Sequence, residues 1–163
     1  MTGLWSNPNI HPLQEYEARL QSVKKLESLL QLDMCYKDDY GLDDFVRVVT
    51  GSEKKRCLHC YTMRLEEAAR VASKKGYDCF STSLLISPYQ DQDLIREIGR
   101  VQAERYNVEF YFEDFRSGFR VARSISKELG LYRQKYCGCI YSERESQARR
   151  KAKNKRRKAK GVK

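Results

Sequence analysis

Apolar side chains recur at three- and four-residue intervals in five stretches of this chain, and each stretch predicts an amphipathic helix. The first runs from Leu13 to Leu32 on Tyr16, Leu20, Val23, Leu26, Leu29 and Leu30. A short one follows between Gly41 and Thr50 (Leu42, Phe45, Val46, Val49). A third opens around Cys57 and Cys60, continues through Met63, Leu65, Ala68, Ala69, Val71 and Ala72, and stops at Gly76. The fourth spans about Asp91 to Tyr106 (Leu94, Ile95, Ile98, Val101), and the fifth about Ser117 to Leu129 (Val121, Ala122, Ile125, Leu129), capped by Gly130. From Tyr141 the sequence is a good helix former that grades into basic residues.

Between these helices lie short runs with strand character: Gly3 to Ser6, Asp33 to Tyr36, Tyr77 to Thr82 and Val108 to Phe112. Strand and helix alternate, which argues an α/β layer architecture with a parallel sheet. In such sheets ligands bind beyond the carboxyl ends of the strands. The segments leaving the strands here are Asn7-Pro8-Asn9, Ser83 to Tyr89 and Asp114-Phe115-Arg116. The first belongs to the turn Asn7 to Pro12, made rigid by two prolines.

Length and composition narrow the class. A chain of 163 residues, 40% hydrophobic, buries about two thirds of its unfolded surface on folding and needs no staples. No run approaches the roughly eighteen apolar residues of a membrane span, and the first residues lack a signal-peptide pattern. The expected compartment is the cytoplasm, where thiols stay reduced. Six cysteines there, four of them in close pairs, read as metal-binding or redox-active. Cys35 and Cys79 stand apart and are expected in the core.

Cys57 and Cys60 form a Cys-x-x-Cys pair at a helix start, where unpaired N–H groups favour thiolate over thiol. Cys137-Gly138-Cys139 is a different device. A disulfide across one residue closes a strained and labile ring, and glycine between the two permits the turn. That pair reads as a redox switch or a metal clip. Together the four cysteines suit tetrahedral zinc and an iron–sulfur cluster equally, with His59 as a spare ligand.

The net charge of +10 is local. Arg149, Arg150, Lys151, Lys153, Lys155, Arg156, Arg157, Lys158, Lys160 and Lys163 carry all of the excess, and residues 1–148 are balanced. Such a block is a footprint for a polyanion, and nucleic acid is the commonest one. The chain therefore divides into a body, residues 1–142, and a basic helical or disordered tail, residues 143–163. On these features alone, a non-catalytic zinc protein that binds nucleic acid competes with a redox enzyme.

Several segments carry a resemblance: Asn7 to Pro12, Arg56-Cys57-x-x-Cys60-Tyr61-x-x-Arg64-Leu65, Phe80 to Gln90, Asp114-Phe115-Arg116 and Gly130 to Ser142. In order and spacing they resemble the epoxyqueuosine reductase family of the QueH type. The resemblance implies a Rossmann-like three-layer sandwich with a mostly parallel sheet, and an oxidoreductase of tRNA queuosine biosynthesis. Its substrate would be tRNA carrying epoxyqueuosine at the wobble position, and an electron donor would serve it. It further implies that Cys57 and Cys60 help hold a [4Fe–4S] cluster, that an additional iron can be present, and that Cys137 and Cys139 are redox-active. The family also has an earlier strand, a Cys-Cys loop and a helix, and this sequence is expected to lack them, opening inside the strand that follows.

Removing an epoxide oxygen takes two electrons and protons for the departing oxygen. Asp114, Arg116 and Arg133 are candidates for proton delivery and substrate holding, and equally for ion-pair and capping roles. Tyr89, Tyr132 and Tyr136 are candidates to stack on a flipped base, each contact contributing about 1–3 kcal/mol. The tail is expected to add phosphate contacts without reading sequence.

Overall fold

The computed structural model describes residues 1–159 and residue 161, with side chains described through residue 157 and at 161. Strand β1 (Thr2–Ser6) runs into the turn at Asn7 to Pro12 and helix α1 (Leu13–Leu30). Strand β2 (Asp33–Lys37) returns parallel to β1, with Gly3 opposite Met34 and Trp5 opposite Tyr36. Helix α2 (Leu42–Val49) begins after Gly41, whose φ is 59°. A Cβ there would come within 2.5 Å of Pro8 Cβ, so only glycine lets α2 start against the proline turn.

Helix α3 (Arg56–Lys75) ends on Gly76, as its sequence predicts. Strand β3 (Cys79–Phe80) leads through a 3₁₀ turn at Ser83–Ile86 to helix α4 (Gln92–Tyr106). The Asp91 side chain caps α4 by accepting the Leu94 N–H, and Asn107 closes it in the left-handed region. Strand β4 (Glu109–Phe110) pairs parallel with β3. A 3₁₀ turn at Phe115–Gly118 enters helix α5 (Phe119–Glu128), and helix α6 (Ile140–Ala159) follows the Cys137–Cys139 loop.

The expected α/β class and parallel pairing are present. Among the described residues, however, the strands form two separate two-stranded parallel sheets, β1–β2 and β3–β4. With two residues each, β3 and β4 offer too short a ladder to join the first pair.

Three apolar clusters hold these layers. Tyr61, Leu65, Ala69 and Ala72 of α3 meet Phe80, Leu85, Ile95, Ile98 and Val108, and the two alanines keep that face of α3 flat. Trp5, Ile10, Tyr16 and Leu20 form the second cluster, where Trp5 Nε1–H donates to the Tyr16 hydroxyl at 3.0 Å. The third joins Phe45, Val49 and Cys139 and brings in Cys60, Met63 and Tyr141. Each fully buried large aliphatic or aromatic chain contributes about 1.5–3 kcal/mol.

Two expectations fail here. Cys79 is exposed, because the strand alternation turns Phe80 inward in its place. Cys35 is only half-buried, and its Sγ accepts the Lys75 ammonium at 2.7 Å rather than packing as a hydrophobe. Helix α5 also differs from its pattern. It buries no residue, and Val121 stands 61% exposed.

Candidate active site at the paired cysteines

The first turn of α3 is set by a 3₁₀ turn at Glu53–Lys55 that runs into it. From there Cys57, Cys60, Tyr61 and Arg64 follow at spacings of three and four, so they form one stripe. Tyr61 ties the stripe to the Ser87–Gln90 loop. Its hydroxyl donates to Gln90 Oε1 at 2.7 Å and accepts the Asp91 N–H at 3.3 Å. Arg56 joins α3 to α6, with Nη2 2.6 Å from Glu145 Oε1 and its guanidinium 5.8 Å from the Tyr141 ring centroid.

The Cys-x-Cys loop is held from the other side by α1 and the proline turn. Arg19 donates to the Cys137 and Tyr136 carbonyls at 2.9 and 3.0 Å and lies over the Tyr136 ring. Glu15 accepts Arg19 at 2.8 Å and the Tyr132 hydroxyl at 2.5 Å. Lys25 donates to the Leu129 and Gly130 carbonyls. The Tyr136 hydroxyl donates to the His11 carbonyl at 2.6 Å, and the His11 N–H donates to the Gly138 carbonyl at 2.9 Å. Gly138 itself has φ 143°, and a Cβ there would press on Ile10 and Arg19 at 3.2–3.3 Å. Glycine is required by both its conformation and its surroundings.

These two frameworks bring the two cysteine pairs to one place. Cys60 packs against the cluster of Phe45, Val49 and Cys139, the last 5% exposed, and the charges of all four thiols act on one another or on the residues between them. The neighbouring Cys137 thiol holds Cys139 below the usual thiol range against the opposing effect of burial, helped by Ser142 and Arg56. The Cys139 sulfur beside it, with desolvation, raises Cys137.

The thiolate expectation for Cys57 and Cys60 is reversed. Burial pushes Cys60 up to about 12, and desolvation raises Cys57 even though Arg56 pulls the other way. Desolvation of a charge outweighs the fractional charge of a helix terminus. Without an added cation, both members of this pair are held as neutral thiols.

Thiolates are the right donors for an iron–sulfur cluster or zinc. Among the described residues, however, no three Cys, His, Asp or Glu side chains stand together as a metal-ion site. As arranged, the four cysteines do not complete a ligand set, and no chemistry below runs through a metal.

The other sequence candidates fall into place unevenly. Asp114 and Arg116 meet each other, with Nε and Nη2 of Arg116 2.8 and 2.5 Å from the carboxylate, and Asp114 caps its 3₁₀ turn. Hydrogen bonds from Arg116 hold the Asp114 carboxyl down at about 2. Among the described residues Arg133 is exposed and makes no hydrogen bond or ion pair. Tyr132 and Tyr136 spend their hydroxyls on the α1 framework, whereas Tyr89 is 81% exposed with Phe119 edge-on at 6.0 Å. Arg149, Arg150, Lys151, Lys153, Lys155, Arg156 and Arg157 line α6 as exposed residues. The side chain of Lys158 lies outside the described residues, as does Lys160.

Three residues gain roles that periodicity did not assign. Glu15 and Arg19 look like an ordinary helical surface pair by spacing, yet they are 9% and 10% exposed and anchor the loop. His11 is fully buried against Tyr40 and Phe45, with neither ring nitrogen hydrogen-bonded among the described residues, and burial lowers it to about 4. The one signal for all three was their closeness to the proline turn.

Comparison with known proteins gives the family. The family model described as "Epoxyqueuosine reductase QueH" matches residues 1–145. Among curated relatives of that name, one from Thermotoga maritima is 40% identical over 146 residues, covering 83% of this chain and 76% of the relative. One from Dehalococcoides mccartyi is 39% identical, covering 86% of this chain and 78% of the relative. One from Helicobacter pylori is 35% identical, covering 91% of this chain and 44% of the relative. The chain belongs to the QueH family of epoxyqueuosine reductases.

Proposed function

We propose that this protein reduces epoxyqueuosine to queuosine at the wobble position of tRNA, with Cys137 and Cys139 as the immediate electron source. The observation that carries the reading is that Cys60 packs against the Phe45, Val49 and Cys139 cluster, which joins two cysteine pairs distant in sequence beside a loop held by α1. The step balances on the chain's own groups. Two thiols become one disulfide and give up two electrons and two protons. The epoxide loses both C–O bonds, leaving an alkene, and its oxygen departs as water. The opposite shifts of Cys139 and Cys137 already make one sulfur the nucleophile-like partner and the other the proton carrier.

Cys57 and Cys60 are the pair we assign to an iron–sulfur cluster, whose chemistry when bound would be electron transfer, and an external donor in the cytoplasm restores the dithiol. An additional iron, or zinc in place of the cluster, is what metal analysis of the same preparation distinguishes. The parallel strand pairs flanked by helices are consistent with a Rossmann-like layering. Among the described residues no helix is long and apolar enough to cross a membrane.

The reading is tested by a single turnover. The chain, reduced and freed of reductant under anaerobic conditions, is mixed with tRNA bearing epoxyqueuosine. About one queuosine should form per chain as two thiols disappear by titration. Unchanged epoxyqueuosine, with both thiols still titratable, would sink the proposal.

The basic face of α6 is assigned to the tRNA backbone. A deletion of residues 149–163 should weaken tRNA binding about tenfold at low salt and lower the salt slope by about 0.7 for each lost contact. Filter binding across a salt series reads both quantities. Equal affinity and slope with and without the tail would remove α6 from the interface.

A further inference from the structure

Three arginines face the thiol site, and they differ in how their charge is balanced. Arg19 is neutralised by Glu15 at 2.8 Å, and Arg56 by Glu145 at 2.6 Å. Arg64 has no carboxylate partner and no hydrogen bond among the described residues. It lies one helical turn beyond Cys60 on the same face of α3, half-buried. Of the groups around it, Cys60 acts on its charge most strongly, then the Arg19 cation and Cys137. A partly desolvated cation without a counter-charge favours the arrival of an anion.

We propose that Arg64 is the anion-holding residue of this site: it takes up the negative charge that develops on the substrate oxygen as the epoxide opens. As the Cys139 sulfur bonds to one epoxide carbon, the C–O bond there breaks with its electron pair going to oxygen, and the alkoxide so formed takes the Cys137 thiol proton. The Cys137 sulfur then bonds to the Cys139 sulfur, the C–S bond breaks to form the alkene, and the oxygen leaves as water with the proton that Cys139 had lost. A guanidinium presents several N–H donors in a fixed fork and stays protonated throughout, so it holds that oxygen without competing for the proton. The other two arginines are already charge-balanced: Arg19 spends its donors on two carbonyls and Glu15, and Arg56 is held by Glu145 and the Glu53 carbonyl, with its Nε left unpartnered among the described residues.

This assignment rests on the epoxide-reduction reading, and the experiment separates the two. Full-length wild type, Arg64→Ala, Arg64→Lys and Arg64→Met are assayed on tRNA bearing epoxyqueuosine with dithiothreitol as reductant, and their melting temperatures are measured. Losing one donor to a developing oxyanion typically costs about 10²–10³ in kcat. Arg64→Ala should therefore lower kcat about 100-fold with KM within about threefold, and Arg64→Lys should lose less. Guanidinium ion added at non-denaturing concentration should restore Arg64→Ala about tenfold and in a saturable way, while leaving wild type unchanged. Arg64→Met should melt no lower than wild type, because an unbalanced, half-buried charge has been replaced by an apolar chain of similar length.

A loss carried by KM, or a loss without guanidinium rescue and with a lowered melting temperature, overturns the proposal and makes Arg64 a structural residue. Wild type without turnover sinks the functional reading instead. In that case the melting temperatures alone decide Arg64, and a fall in Arg64→Met overturns its unbalanced charge.

Discussion

Replacing either loop thiol by serine abolishes single-turnover reduction, with an expected loss of more than about 10³-fold, or over 4 kcal/mol of barrier. A serine hydroxyl retains the shape and one hydrogen bond of the thiol but gives up no electrons, so no internal route to the alkene remains. The two variants differ in what else they disturb. Cys139 is 5% exposed in the cluster with Phe45 and Val49, and the smaller, more polar serine costs about 1–3 kcal/mol of stability there. Cys137 is exposed, and its substitution stays within about 0.5 kcal/mol. Cys137→Ser is therefore the clean probe. A Cys137→Ser protein that still forms queuosine within tenfold of the wild-type rate, in one turnover without added reductant, would show that electrons come from elsewhere.

The site draws on parts of the chain that differ in how plainly they can be read from sequence. Helix positions follow from apolar spacing, and their ends from particular residues: Asp91 caps α4, and Gly76 and Asn107 end α3 and α4 in the left-handed conformation. These signals are local, so tertiary structure leaves them unchanged. The strands are less legible. Val108 to Phe112 reads as five strand residues, yet only Glu109 and Phe110 pair, because a strand exists only where a partner is present to complete its ladder. Cys79 illustrates the same gap one residue at a time, since a two-residue strand gives the alternation no room to declare which face is inside.

The electrostatics of the cysteines was the least legible part. A helix start favours thiolate by a fraction of a charge, and sequence shows that fraction, but it does not show how deeply the sulfur is buried. Cys60 sits where α2, α3 and the loop before α6 close over it, and desolvation prevails. Cys139 goes the other way although it too is buried, because the neighbouring Cys137 thiol holds it down. Both outcomes depend on the docking of the Cys137–Cys139 loop, and that docking depends on one carboxylate.

Glu15→Ala should lower stability by about 3 kcal/mol and lower the rate of reduction with it. The carboxylate is 9% exposed and receives both Arg19 and the Tyr132 hydroxyl, so its removal strands a guanidinium that is itself only 10% exposed. Breaking a buried pair from one side costs about 3–5 kcal/mol, because the remaining charge keeps its desolvation penalty without its partner. Against a total stability of about 5–15 kcal/mol that is a large share. The two consequences can be separated by pairing Glu15→Leu with Arg19→Met. The double variant has no stranded charge and should recover most of the stability in urea unfolding. It still lacks the two hydrogen bonds from Arg19 to the Tyr136 and Cys137 carbonyls, so the loop loses its register against α3 and the rate should stay low. Recovery of both properties together would mean that Arg19 serves the fold alone. A loss below 1 kcal/mol in Glu15→Ala, with the rate intact, would remove α1 from the site altogether.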